Sequence, residues 1–219
     1  MFELGLPKTV SEGNVSSRIN EDREDMETSC LQIVTALSNA VEAKDEYMRG
    51  HGERVAKFSD SIAEECNLSR QERKYLLFTA ILHDVGKIGI RRNILLKRCK
   101  LDPCEEEELR THPEKGVRIL EPVRFLNPIL PVIRHHHERF DGSGYPEGLK
   151  GKEIPFKARI LSITDAWDAM LSTRPYRRAV PFEAARAELL SCAGSHFDPE
   201  LVAIFEKIIQ RDLHDLHAS

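Results

Sequence analysis

Apolar residues recur along this chain at spacings of three and four. Between Met26 and Asp45, Leu31, Val34, Leu37 and Val41 fall on one helix face. The same spacing predicts helices over Arg54 to Cys66, Arg73 to Leu82, Phe156 to Ser172, Phe182 to Cys192 and Pro199 to Arg211. Ser69 with Glu72 three residues on is a capping-box signature. Asp102-Pro103 opens a further helix, whose acidic run Glu105 to Glu108 suits the positive end of the helix dipole and otherwise reads as a solvated face. Pro128 and Pro131 interrupt the apolar stretch Val123 to His137, which predicts a kinked or broken helix. No segment sustains a period of two, so the expected fold class is all-α, without internal repeats.

Two stretches depart from this pattern. Residues 1–24 mix Gly, Pro, Ser, Asn and acids without periodicity, the composition of a flexible arm or linker, so the domain is expected over 25–219. Glu138 to Pro155 holds Gly142, Gly144, Gly148 and Gly151 together with Pro146. It must be a long loop, and loops of that length in compact domains are often functional.

A chain of 219 residues suffices for one domain with its own core. Hydrophobic residues at 41% and charged residues at 31% exclude a disordered or membrane-embedded class. No apolar run reaches the roughly 20 residues of a bilayer span, and the opening residues lack the blocks of a signal peptide, so membrane insertion is not expected and a cytoplasmic address is. Five cysteines without a CxxC pair read as reduced thiols. A net charge of −4 argues against long nucleic acid as a partner, so a phosphate-bearing substrate must be held by local positive charge or by metal.

The chemistry-bearing residues are His51, His83, Asp84, His112, His136, His137 and, further on, Asp165. One His-Asp pair is weak, because a lone histidine is usually a satisfied surface or core residue. The set is stronger, since borderline metals take imidazole nitrogen and carboxylate oxygen together and a carboxylate between two cations can bridge them. Asp84 is the candidate bridge. In LLFTAILHDVGKIGI at 76–90, an apolar helix delivers His83 and Asp84 at its end, and Gly86 lets the chain turn away. Lys87 could set an ammonium beside a phosphate oxygen, or serve only as a dipole partner. Arg174 and Arg177, three apart, would face one way on a helical turn and could grip phosphate; otherwise they are surface charges, and Arg178 has no support. Asp168 shares the Asp165 face and either orients a ligand histidine or forms a surface ion pair. Glu138 and Asp141 read as solvated loop acids, and His135 as pointing elsewhere. His196, His214 and His217 read as surface or tail residues. Trp167 and Phe140 read as core packing rather than as stacking platforms.

Five stretches carry a resemblance: DEYMRGHGERV at 45–55, ILHDVGKIGI at 81–90, Thr111-His112-Pro113, HHERFDGSGYPEGLKGKEIP at 136–155 and ITDAWDAMLSTRPYR at 163–177. In this order they resemble the HD-GYP domain of the HD phosphohydrolase superfamily, over most of the chain from Leu31 onward. The resemblance implies an HD-domain helical bundle with the long loop near the active site, and hydrolysis of cyclic di-GMP to a linear dinucleotide and, in some members, to GMP. It implies that His51, His83, Asp84 and Asp165 hold one divalent cation and Asp84, His112, His136 and His137 a second, with iron or manganese suiting the set. Lys87, Arg174 and Arg177 match positions that contact substrate phosphates. The Gly144-Tyr145-Pro146 triplet matches a surface offered to diguanylate cyclase (GGDEF) domains, and the N-terminal helix could pair with a second copy. Members with three metals carry Glu four residues before the first ligand histidine. Tyr47 stands there in this chain, so two metals are expected. The alternatives are a phosphodiesterase for another nucleotide, such as mixed cyclic GMP-AMP, and a non-catalytic cyclic di-GMP sensor or GGDEF-docking module.

Overall fold

The computed structural model describes residues 28, 30–44, 48–173 and 178–218, with side chains described as far as residue 211. The proposed arm 1–24, Tyr47, Arg174, Arg177 and the side chains of His214 and His217 therefore lie outside the described residues. Helix α1 spans 30–44, followed by α2 (His51–Glu65) and α3 (Arg70–Leu82). A 3₁₀ turn at Val85–Gly89 leads to α4 (Arg92–Leu95), α5 (Pro103–Arg110) and α6 (His112–Leu120). The stretch with two prolines is broken as expected, into a 3₁₀ segment at Arg124–Ile129 and α7 (Leu130–His135). After the long loop come α8 (Phe156–Leu171), α9 (Phe182–Ser191) and α10 (Pro199–Ala218). Among the described residues there is no strand, only an isolated bridge between Ala193 and Phe197, so the all-α expectation holds. No helix there is long and apolar enough to cross a membrane.

Local chemistry sets the helix ends. Ser69 accepts from the Glu72 N–H while the Glu72 carboxylate accepts from the Ser69 N–H, which starts α3. Asp102 and Glu105 make the same reciprocal pair ahead of α5. The acidic run of α5 is more than a solvated face: Glu105 pairs with Lys97, Glu106 with Arg110, and Glu108 with Arg91.

Two principal cores flank the site. Ile62, Leu76, Ile160, Trp167, Leu189 and Phe205 pack α2, α3, α8, α9 and α10 together, with the Trp167 ring edge-on to Phe182 and Phe205. Trp167 is therefore core, as read from the sequence. Val34, Val41, Phe78, Leu82, Leu120 and Ile133 join α1, α3, α6 and α7. Burying one such side chain stabilises by roughly 1.5–3 kcal/mol. Helix α3 belongs to both halves, and it crosses α2 closely because Gly52 sits at the contact. A Cβ on Gly52 would lie 3.1 Å from the Ile81 Cα. That approach brings the start of α2 against the end of α3, where His51 and His83 stand.

Candidate metal centre

Helix ends deliver most of the histidines. His51 is the first residue of α2, behind Gly50 in the left-handed conformation at φ 67°. His83 caps α3, His112 opens α6, and His136 caps α7 with His137 next to it. Asp84 follows His83, and Asp165 lies within α8. His51 and Asp165, far apart in the chain, thus meet at one place.

Three rings are fixed in the same way. The Nδ1 atoms of His83, His112 and His136 lie 2.8, 2.7 and 2.7 Å from the carbonyl oxygens of Ala80, Leu109 and Ile133, each three residues earlier. A carbonyl only accepts, so each Nδ1 carries the proton and donates it, and each Nε2 is left as a lone pair. Those lone pairs converge. His112 Nε2 is 3.3 Å from His136 Nε2 and 3.2 Å from His137 Nε2, and His51 Nε2 is 3.3 Å from His83 Nε2. His51 has a different partner, because its Nδ1 lies 2.7 Å from Asp168 Oδ2. Asp168 also takes the Arg54 guanidinium at 2.5 Å, so it both orients a histidine and forms an ion pair.

Asp84 lies between the two clusters. Its Oδ1 is 3.3 Å from His112 Nε2 and its Oδ2 is 3.3 Å from His83 Nε2. Asp165 Oδ1 completes the first cluster, 3.3 Å from His51 Nε2. Ligand atoms of His51, His83 and Asp165 lie within 4.8 Å of one another, as do those of Asp84, His112, His136 and His137. Lys87 is neither a bare dipole partner nor free, since its Nζ donates to Asp84 Oδ2 at 2.6 Å.

The charges follow from burial and neighbours. Burial pushes His112 down to about 4 and His136 to about 3, and holds His137 well below the ordinary imidazole value. All three are therefore neutral near pH 7. Burial opposes the charge on His51 too, but hydrogen bonds to Asp165 and Asp168 outweigh it and push that imidazole up to about 9. Burial would raise Asp84, yet the Lys87 ammonium and the neighbouring histidines keep it well below the usual carboxylate range. Neutral imidazole lone pairs crowded around carboxylates repel one another unless a cation sits among them. The donor set therefore fits divalent metal, and nitrogen with oxygen ligands suits borderline ions.

The long loop covers one side of this centre. Tyr145 stacks on His137 with ring centroids 4.9 Å apart, and the Arg110 guanidinium lies 5.2 Å from the Tyr145 ring centroid. Glu138 corrects the reading of a solvated loop acid. It is 2% exposed, and its carboxylate accepts from the N–H groups of Glu147, Gly148 and Leu149 at 2.8, 3.1 and 3.1 Å. Only glycine fits at 144, where a Cβ would fall 2.3 Å from the Arg139 nitrogen. His135 does point away from the His/Asp clusters, towards Glu138 and Glu147. His196 is no plain surface residue: its ring stacks on Phe197 and its carbonyl accepts from the Phe140 N–H at 3.0 Å. Phe140 is partly exposed rather than core. Of the residues with substrate or metal roles expected from sequence, His51, His83, Asp84, Lys87, His112, His136, His137 and Asp165 come together. Sequence reasoning missed Arg54 and the clamp by Glu138, and neither carries a local signal.

Residues 35–201 match the HD domain family. The chain is 41% identical over 198 residues to a cyclic di-GMP phosphodiesterase of Thermotoga maritima, covering 89% of this chain and 52% of that protein. It is 38% identical over 177 residues to 3′3′-cGAMP-specific phosphodiesterase 3 of Vibrio cholerae, covering 81% of this chain and 38% of the relative. The chain thus spans about half, or less, of the length of these curated relatives. The crystal structure of a cyclic GMP-AMP phosphodiesterase of Vibrio cholerae superposes with a TM-score of 0.64 at 22% identity, over 81% of this chain and 48% of that one, which shows a shared fold. With the His83-Asp84 pair and the Gly144-Tyr145-Pro146 loop in place around one centre, the chain belongs to the HD domain family, in its HD-GYP group.

Proposed function

We propose that this chain is a metal-dependent phosphodiesterase that hydrolyses cyclic di-GMP to the linear dinucleotide. The observation that carries this reading is Asp84, which turns one carboxylate oxygen to each of two complete His/Asp clusters. In this reading His51, His83 and Asp165 hold one cation, His112, His136 and His137 hold the other, and Asp84 serves both. Iron or manganese suits the mixture of imidazole and carboxylate. Bound divalent ions would supply Lewis acidity towards phosphodiester oxygens and lower the pKa of an attacking water.

The chain's own residues do the rest. The carbonyl contacts of His83, His112 and His136 hold their rings ready, so little reorganisation is needed when charge develops. Lys87, with its side chain 15% exposed at the edge of the centre, is the ammonium available to a phosphate oxygen. Arg174 and Arg177 are assigned to substrate phosphates, which planar guanidinium forks bind bidentately. The Asp165 side chain is 20% exposed, against 1% for His83, so substrate enters from the Asp165 side. The Gly144-Tyr145-Pro146 loop is read as the surface offered to GGDEF domains, α1 as a helix that pairs with a second copy, and the cytoplasm as the place of action.

Purified protein loaded with manganese or iron is expected to convert cyclic di-GMP to a linear product, read by chromatography. Asp84→Ala should lower turnover at least about a hundredfold. Wild-type turnover in that variant would overturn the proposal. A second reading, hydrolysis of mixed cyclic GMP-AMP, is supported by the Vibrio cholerae relative that bears that specificity in its name. Mixed dinucleotide in the same assay separates the two.

A further inference from the structure

Immediately beyond Asp165, the α8 face bearing Ala166, Ala169 and Met170 lines a cavity of about 420 Å³. Helix α9 lines it too, through Ala184, Glu188 and Cys192, which recur every four residues and so share one helix face. Phe197 and His196 complete it. The size lies within the range of ligand sites, and small apolar walls with few polar groups are their usual chemistry.

This cavity adjoins the metal centre along α8 and through the segment that carries His196. Ala169 stands one turn of α8, about 6 Å, from Asp165, the ligand on the more open side. The start of the long loop, which follows His136 and His137 directly, is tied to the segment that carries His196. The Phe140 and Asp141 N–H groups donate to the carbonyl oxygens of His196 and Ser195 at 3.0 and 2.8 Å. A molecule with a phosphodiester at the centre could therefore extend a neighbouring group into the cavity.

Glu188 is the acid on the cavity's rim. Among the described residues its carboxylate has no cationic partner, and its Oε1 lies 3.7 Å from Cys192 Sγ, a weak thiol donor. A cavity with apolar wall at Ala166 and Ala169, and a rim carboxylate that has no cationic partner among the described residues, is complementary to guanine. A purine there would set its faces against Ala166 and Ala169, and its adjacent N1–H and N2–H donors would reach the two carboxylate oxygens. Adenine presents a lone pair at N1 and would set it against the same carboxylate.

The geometry points to this cavity as the seat of one guanine base of the substrate, with Glu188 as the residue that reads it. The inference rests on the cyclic dinucleotide reading above and adds the base that the site selects. The test compares kcat and KM for cyclic di-GMP and cyclic di-AMP in the manganese-loaded wild type, Glu188→Gln and Ala184→Trp. Ala184 is exposed on α9, so a tryptophan there can fill the cavity without entering the core. In Glu188→Gln, KM for cyclic di-GMP should rise about tenfold or more, as for loss of a bidentate base contact, and the preference for guanine over adenine should shrink by a similar factor. Ala184→Trp should raise KM for both dinucleotides. If the wild type turns over cyclic di-GMP and both variants keep its KM and its preference, the cavity is not a base site and only this inference falls. If the wild type cleaves no cyclic dinucleotide at all, the functional reading falls and takes this inference with it.

Discussion

His51 differs from the other candidate ligands in what holds its Nδ1 atom. Its partner is the Asp168 carboxylate, whereas His83, His112 and His136 face neutral carbonyls. This difference has a sign in pH. With its value pushed up to about 9, His51 carries a proton at pH 7 in the metal-free protein, and a cation must displace it. Affinity of the His51, His83 and Asp165 cluster should thus rise roughly tenfold per pH unit between about 7 and 9 and level off above. His112 and His136, at about 4 and 3, are already neutral, so binding at their cluster should be flat over that range. Asp168→Asn removes one carboxylate that favours the charged ring. Titration calorimetry in buffers of different ionisation enthalpy should show about one proton released per wild-type chain at pH 7.5 and a smaller release in the variant. The variant should also bind this ion roughly 10- to 100-fold more weakly. An unchanged proton count with unchanged affinity would mean that Asp168 does not act through His51. Much of this scale was legible beforehand, because Asp168 lies one turn from Asp165 on α8. The Glu138 clamp was not: its three acceptor bonds go to N–H groups nine to eleven residues on, and nothing local distinguishes it from a solvated acid.

At the level of elements, close backbone crossings set where the candidate ligands arrive. Gly86 was expected to let the chain turn, yet its role is proximity. A Cβ there would stand 1.8 Å from the His112 carbonyl oxygen and 2.5 Å from the Gly116 nitrogen. The 3₁₀ turn that follows Asp84 thus lies directly on the first turn of α6, and this contact brings His112 to Asp84. Gly86→Ala must push the two segments apart. Thermal or urea unfolding should show a loss of about 1–3 kcal/mol, the usual cost of overpacking, together with weakened metal retention. Wild-type stability and metal content would show that the crossing is not a constraint. Helices were readable from period and capping because both are local properties of sequence. Crossings are not, since Gly86 and its contact at Gly116 lie thirty positions apart and a helix-end glycine reads first as a turn residue. The broken helix at Pro128 and Pro131 was readable, because a missing N–H and a fixed φ act where they stand.

At the scale of the molecule, the apolar cores hold four helix ends and the middle of α8 so that their polar side chains meet. Buried imidazoles and acids at such a junction oppose folding unless they are compensated, and the carbonyl contacts, the Lys87–Asp84 pair and the Arg54–Asp168 pair supply part of that compensation. Cations would supply the remainder, so metal loading should raise the unfolding temperature. The most direct measurement is the metal content of the purified chain after anaerobic loading with iron or manganese and removal of excess ion. The account predicts two ions per chain in the wild type and at most one in Asp84→Ala, whose carboxylate both clusters share. Retention of two ions by Asp84→Ala, or of none by the wild type, would contradict it.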